Sequence, residues 1–404
     1  MAELGPLTCA GCGLLCDDVF VERSENGVRL QPDCHLGTEW FSARVLRPRD
    51  APAAMIDGQP VDVEEALTRV AELLRAARRP LLHGFDWATV EDARAAVALA
   101  DRLGALVATD RVGGAWPGAP AVPLRGDSSA TLGEVRDRSA LIVIWREDPE
   151  TTHPRLLERL NAGVGSHRRR AAQRTLVVVD DRDTATSKLA DLRLALSPGR
   201  DLEALSSLHA LQRGMTLRMA DAEGELRELL HRINDAPHAA FVYGPGLTAG
   251  AGGERRALTL HELVRELCRS RHVVSVALPA AAGTRGAQEV LSWQTGYAPN
   301  IDLASGHPEL LSVTTPLDTA EGVDVSLCIE AAPQAPRDGV TGIALSSLPV
   351  EGVAVSIRTA SAGVEATGTA HRLDGVPLTL QAPLPGEAPT AAALLTRLLA
   401  EVGA

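Results

Sequence analysis

Lysine is almost missing from this chain of 404 residues: of its forty basic residues only Lys188 is a lysine. Aromatics are also scarce, with five Trp, two Tyr and four Phe. Arginine and alanine in their place follow the codon bias of a GC-rich genome and carry no mechanism, although they single out Lys188. A basic balance is lacking too. The net charge of −12 and pI near 5.4 exclude a general affinity for nucleic acid or anionic membrane, because both need a basic face to displace counterions. No apolar run approaches the ~20 residues of a membrane span. No basic segment followed by an apolar one precedes Cys9, so no secretory signal is expected and the expected compartment is the cytoplasm. Neither G-x-S-x-G nor H-E-x-x-H occurs, which removes the usual signatures of a self-contained hydrolase.

Cysteine is absent from 35 to 267, yet four of the six cysteines crowd the first tenth of the chain. Cys9-Ala10-Gly11-Cys12-Gly13-Leu14-Leu15-Cys16, followed by Cys34, reads C-x2-C-x3-C-x17-C. In a reducing compartment such clusters bind metal more often than they form disulfides. Three close thiolates on a glycine-bearing loop plus one distant thiolate suit the corners of a 4Fe–4S cubane. Gly11 and Gly13 let backbone N–H groups approach the sulfides without a Cβ clash. A four-cysteine zinc site, normally built from paired C-x2-C knuckles, and an empty thiol cluster are the alternatives.

At roughly 100–200 residues per domain, the length predicts two to three domains. Residues 1–50 are read as a four-cysteine, iron–sulfur-type module. Beyond it, helical and strand periodicities alternate. Helices are expected over 61–74, 90–103, 154–161 and 390–402, and strands over 80–85, 105–109, 139–145, 175–180 and 325–329. Further βα units are expected over 237–270 and 272–295, and Gly-punctuated strands over 353–382. Such alternation predicts α/β architecture with parallel sheets. The expected domains are 51–125, completed by 310–404, and 126–309.

The cysteine spacing and a series of short segments in order give the chain its resemblance to a family. They are Cys12-Gly13-Leu14-Leu15-Cys16-Asp17-Asp18, Cys34-His35-Leu36-Gly37, Thr131-Leu132-Gly133-Glu134-Val135, His153-Pro154-Arg155 and the run Val177–Asp191. Pro198-Gly199-Arg200-Asp201, Trp293-Gln294-Thr295-Gly296-Tyr297, Ser305-Gly306-His307-Pro308 and Gly363–Arg372 continue the series. With these, the chain resembles the family of formylmethanofuran dehydrogenase B subunits, part of the molybdopterin oxidoreductase superfamily. The resemblance implies a formate dehydrogenase/DMSO reductase-like body of two Rossmann-like α/β domains, with a small Cys-rich module and no C-terminal β-barrel domain.

Two departures bear on activity. The family's dehydrogenases place a metal-ligating cysteine, followed by His-Gly, on the loop that corresponds to Thr109-Asp110-Arg111-Val112-Gly113-Gly114, and here it is missing. Their Arg-Gly-His segment corresponds to Gly283-Thr284-Arg285-Gly286-Ala287, with alanine in the histidine's place. Redox catalysis and the molybdopterin or tungstopterin are therefore expected to be lost. The resemblance then points to the redox-silent B subunit of the formyltransferase/hydrolase complex, a scaffold in tetrahydromethanopterin- and methanofuran-dependent formaldehyde oxidation to formate. It would stand beside an amidohydrolase A subunit, a C subunit and a formyltransferase D subunit. An active tungsten or molybdenum dehydrogenase subunit and an iron–sulfur electron-transfer subunit are the alternatives.

Individual residues carry two readings each. Lys188 either met the ancestral pterin or pairs with Asp180, Asp183 or Asp191. Gly246, in the turn Gly244-Pro245-Gly246, belongs to a glycine-rich strand–helix turn that can cradle a phosphate on backbone N–H groups. Arg285 either grips an anion or forms an ion pair. His153 is either a ligand or acid/base group or, as expected, a hydrogen-bonding residue at a helix start, and Arg168-Arg169-Arg170 is either a partner contact or, as expected, a solvated loop.

Overall fold

The computed structural model describes residues 2–24, 27–48, 51–109, 117–119, 121–162, 174–197, 199–216, 223–311, 322–332, 335–384 and 386–403. The chain divides into two compact units, one formed by 1–115 with 280–404 and the other by 116–279.

In the first unit, a nine-stranded sheet has five parallel strands at its centre, in the order Leu106–Ala108, Pro80–Gly84, Val325–Ile329, Thr341–Ser346, Val355–Arg358. Antiparallel strands flank them: Asn300–Asp302 and Glu309–Leu310 on one edge, Ala54–Ile56 and Gln59–Val61 on the other. The central strands are apolar on both faces, as strands covered by helices must be.

Helix Val63–Ala76 starts on Asp62, whose side chain accepts from Glu65 N–H. Helix Val90–Leu103 starts on a capping box of Thr89 and Asp92 and stops at Gly104 in the left-handed conformation. Asp92 also accepts Ala392 N–H at 2.7 Å, so one carboxylate serves the N-termini of helices Val90–Leu103 and Ala391–Gly403.

The second unit is a five-stranded parallel sheet, in the order Leu192–Leu194, Thr175–Val179, Leu141–Trp145, His238–Tyr243, His272–Ala277. Helices Asp201–Gln212, Glu223–Asp235 and Gly253–Leu267 belong to it. Both units are thus mixed α/β, and among the described residues no sheet closes into a barrel. A helix that could cross a membrane is also absent among them.

Three differences from the sequence reading stand out. Residues 280–309 join the first unit, not 126–279, because Asn300–Asp302 pairs with Leu106–Ala108 and helix Thr284–Thr295 packs on helix Val90–Leu103. Residues 1–50 fall inside the first unit, tied down by contacts such as Leu373 N–H donating to Gly13 O at 2.9 Å. Residues 116–125 fall in the second unit, not with 51–115, and carry a short helix, Val122–Arg125.

Candidate functional site

The cysteine-rich segment is an antiparallel three-stranded sheet, Ala2–Leu7, Val19–Ser24 and Gly27–Gln31, followed by helix His35–Val45. Cys9, Cys12 and Cys16 lie buried on the loop between the first two strands, and Cys34 is the residue that precedes the helix. Cys9 N–H donates to Cys16 O at 2.8 Å and closes the loop, while Gly11 N–H donates to Cys9 Sγ at 3.4 Å.

Glycine lets loop and helix meet. A Cβ at Gly37 would lie 2.6 Å from Leu30 Cδ2 and 3.1 Å from Cys9 Sγ, and one at Gly11 would lie 3.0 Å from Leu36 O. Burial drives the Cys9 thiol well above its usual range. The neighbouring Cys12, Cys16 and Cys34 push it the same way, so all four sulfurs share one electrostatic neighbourhood. None of the six cysteines is in a disulfide.

Among the described residues no three His, Cys, Asp or Glu side chains converge as ligands of one metal ion. A four-iron cluster makes no such demand, since each thiolate binds its own iron. Four cysteine sulfurs outside any disulfide, a shared field and a glycine-lined approach are what such a cluster would use.

Arg44, on the same helix, is buried, and its guanidinium lies 4.5 Å over both the Trp40 and Trp87 rings. Its Nη1 donates to Trp40 O at 3.2 Å. Burial lowers its pKa to about 10, against the attraction of Glu330 and Cys9. The two indole faces offset part of the solvation that burial removes from this cation.

Each parallel sheet has a switch in strand order, the place where open α/β sheets take ligands at the carboxyl ends of their strands. In the first unit it falls between Pro80–Gly84 and Val325–Ile329. The residues that follow these strands, Phe85 (φ 72°) and Glu330 (φ 41°), both hold the left-handed conformation, a strain that side chains keep only where their surroundings dictate it. The Glu330 carboxylate accepts from the Thr359 hydroxyl and from Ser347 Oγ at 2.8 Å. Burial raises its pKa to about 7, with Asp92 adding to the rise. Beside it lies a cavity of about 270 Å³, lined by Trp87, Thr89, Glu91, Asp92, Glu330 and Thr390 among others. That is just under the ~300–1,000 Å³ of clefts that enclose drug-sized ligands.

In the second unit the switch falls between Leu141–Trp145 and His238–Tyr243. Arg146 follows the first strand at φ 54°. Its guanidinium pairs with Asp201 and Asp181, and its Nη2 donates to Leu196 O at 2.6 Å. Glu147 is buried next to it, and burial raises its pKa. Its carboxylate accepts from the Asp148 N–H at 3.3 Å and from the Thr152 hydroxyl at 3.4 Å, and these together with the Gly246 N–H oppose the rise.

Gly246 thus lies in a turn whose space is taken. A Cβ there would lie 1.8 Å from Arg146 O, and one at Gly244 would lie 1.9 Å from Glu147 Oε2. The turn that could cradle a ligand phosphate holds the chain's own carboxylate.

The other sequence candidates are scattered. Lys188 is exposed in the turn Ser187–Leu189, and the three aspartates considered for it are engaged elsewhere. Asp180 pairs with Arg182 and Arg146, Asp183 with Arg193, and Asp191 accepts Leu176 N–H. Arg285 pairs with Glu289 at 2.7 Å, and Glu289 also bonds His371. Ala287 lies in the apolar core, where it offers no functional group. His153 is buried against Thr152 Oγ1 at 3.1 Å, and burial lowers its pKa to about 4. Residues 110–114 of the expected metal loop, Arg168–Arg170 and Pro198 lie outside the described residues.

Sequence reasoning missed Arg44, Arg146, Glu147 and Glu330. Arg146, Glu147 and Glu330 stand at the ends of apolar strands, and that placement was the available signal.

No protein-family model matches the chain. It is 30% identical over 401 residues to the B subunit of the tungsten-containing formylmethanofuran dehydrogenase 2 of Methanocaldococcus jannaschii, covering 93% of this chain and 92% of that one. It is 28% identical over 259 residues to the B subunit of the formyltransferase/hydrolase complex Fhc of Methylorubrum extorquens, covering 64% of this chain and 68% of that one. Among solved structures, the crystal structure of the Methylorubrum extorquens FhcABCD complex with methylofuran contains a chain that matches with TM-score 0.70 at 27% identity. The match covers 87% of this chain and 98% of that one. Acetylene hydratase from Pelobacter acetylenicus matches with TM-score 0.63 at 12% identity, over 98% of this chain and 69% of that one, a likeness of fold alone.

Proposed function

The chain belongs to the family of formylmethanofuran dehydrogenase B subunits, and from that premise we propose that it is the non-catalytic B subunit of a formyltransferase/hydrolase complex. Its partners would be an amidohydrolase A subunit, a C subunit and a formyltransferase D subunit, working in the cytoplasm. The complex would carry formyl groups from tetrahydromethanopterin to a methanofuran-type amine and release formate.

The observation that carries this reading is the cysteine-free interval from 35 to 267. A dehydrogenase of this family needs a thiolate on its metal from a loop in that interval, and no residue there can supply it. Hydrolysis of a formamide needs only an activated water, which the amidohydrolase partner's metals supply. The likeness to the FhcABCD chain supports the same reading, and the Glu147-filled turn supports the loss of a pterin dinucleotide.

Cys9, Cys12, Cys16 and Cys34 would hold a 4Fe–4S cluster, with zinc or an empty site as alternatives. When bound, such a cluster supplies one-electron chemistry, for which a hydrolytic complex has no use. The chain's own residues bury three of the four thiols and hold the Arg44 charge within electrostatic reach of Cys9, which would give the group a structural role.

The likeness to the tungsten-containing relative favours the competing reading, an active dehydrogenase subunit. Affinity purification of the tagged chain from its native host distinguishes the two. We expect stoichiometric recovery of an amidohydrolase and a formyltransferase chain, with formyl transfer and formate release. Recovery with iron–sulfur electron-transfer chains instead would overturn the proposal.

A further inference from the structure

We propose that the second unit is self-liganded at its strand-order switch: the Glu147 carboxylate occupies the seat of a ligand phosphate and closes the unit to phosphate-bearing ligands. The inference goes beyond the role in a complex and stands whether or not the chain is part of one.

The seat is recognisable by its position and its donors. The central strand Leu141–Trp145 is flanked by Thr175–Val179 on one side and His238–Tyr243 on the other, and all run parallel. Their carboxyl ends frame the crevice in which such sheets hold nucleotide-type ligands. The Asp148 N–H and the Thr152 hydroxyl donate to one anion there at 3.3 and 3.4 Å, and the Gly246 N–H and the Arg182 charge also favour its charged form. A backbone N–H, a hydroxyl and a nearby guanidinium are donors of the kind that hold a phosphate oxygen. The anion present is Glu147, whose Oε2 would stand 1.9 Å from any Cβ at Gly244.

Nothing about Glu147 resembles a side chain that merely strayed inward. Burying a carboxylate is costly unless several donors meet it. Arg146, one residue earlier, is fixed in a left-handed conformation by Asp201, Asp181 and the carbonyls of Leu196 and Ser197. That anchoring sets the direction in which Glu147 leaves the strand. The Arg146 carbonyl also fills the space over Gly246. An incoming phosphate would meet a carboxylate in its own seat, and the two cannot share the donors.

The test uses inorganic pyrophosphate as the probe on the full-length chain, read by calorimetry and thermal melting. The wild type and Glu147→Gln, which keeps the shape and the acceptor oxygen, should show no saturable binding. Glu147→Ala should melt at a lower temperature, bind pyrophosphate saturably with a Kd at least about tenfold below the highest concentration at which the wild type shows none, and regain part of the loss on binding. Saturable binding by the wild type would overturn the proposal, as would a folded Glu147→Ala chain that ignores pyrophosphate. Should Glu147→Ala fail to fold, the wild-type and Glu147→Gln titrations decide, and binding by either one refutes the closed seat.

Discussion

Arg146 Nε lies 2.8 Å from Asp201 Oδ1, and both side chains are more than nine-tenths buried. Asp201 accepts a second bond from Trp145 Nε1 at 2.9 Å, so the pair pins the end of a central strand to the start of helix Asp201–Gln212. Removing one partner of such a pair strands the other charge. Arg146→Ala should cost about 3–5 kcal/mol. Arg146→Gly loses the same contacts but frees the left-handed backbone, and should be less harmful by about 1 kcal/mol. Urea midpoints of the two variants check this, and equal losses would contradict the strained backbone.

Glu330 predicts a pH dependence of known sign. Its carboxyl is raised by burial from 4.5 to about 7, so between these values the unfolded chain has already lost a proton that the folded chain still holds. The stability it contributes is complete below pH 4.5 and is lost as the pH rises towards 7. Urea midpoints of the wild type minus those of Glu330→Gln should fall across that window and level off above it. A flat difference would show that the group is not held protonated.

His153 predicts the opposite slope. Burial lowers its pKa from 6.5 to about 4, so the unfolded chain takes up a proton first as the pH falls. Its contribution is complete above pH 6.5 and is lost between there and pH 4. Relative to His153→Gln, the wild type should weaken across this range. A difference that stays constant from pH 7 to 4 would mean that the imidazole is open to water.

The cysteine segment predicts a link between packing and metal. Gly37→Ala puts a methyl 2.6 Å from Leu30 Cδ2 and 3.1 Å from Cys9 Sγ, an overpacking that typically costs about 1–3 kcal/mol. Iron and acid-labile sulfide should fall in Gly37→Ala and vanish in Cys34→Ser. Full retention of both in Cys34→Ser would remove that residue from the ligand set.

Much of the architecture was legible because it is local. Strand Pro80–Gly84 and helix Val90–Leu103 stand where apolar runs, periodicity and caps put them. Helix Asp201–Gln212 went unread, although Ala204, Leu205, Leu208 and Leu211 carry its buried stripe. What could not be read is long-range. No local pattern tells that Asn300–Asp302 pairs with Leu106–Ala108, and that pairing moves 280–309 into the first unit. Glu147 and Glu330 look like solvated charges until the strand order puts each beside a switch. Lys188 shows the converse error: its rarity drew attention, yet its side chain is exposed while arginines take the neighbouring aspartates.

The central claim, a family body retained without its redox chemistry, is tested most directly by metal analysis and viologen-linked activity of the complex purified through this chain. The account predicts formyl transfer and formate release with no stoichiometric tungsten or molybdenum and no viologen reduction by the formylated methanofuran. One tungsten or molybdenum per chain, with viologen reduction that depends on that substrate, would contradict it.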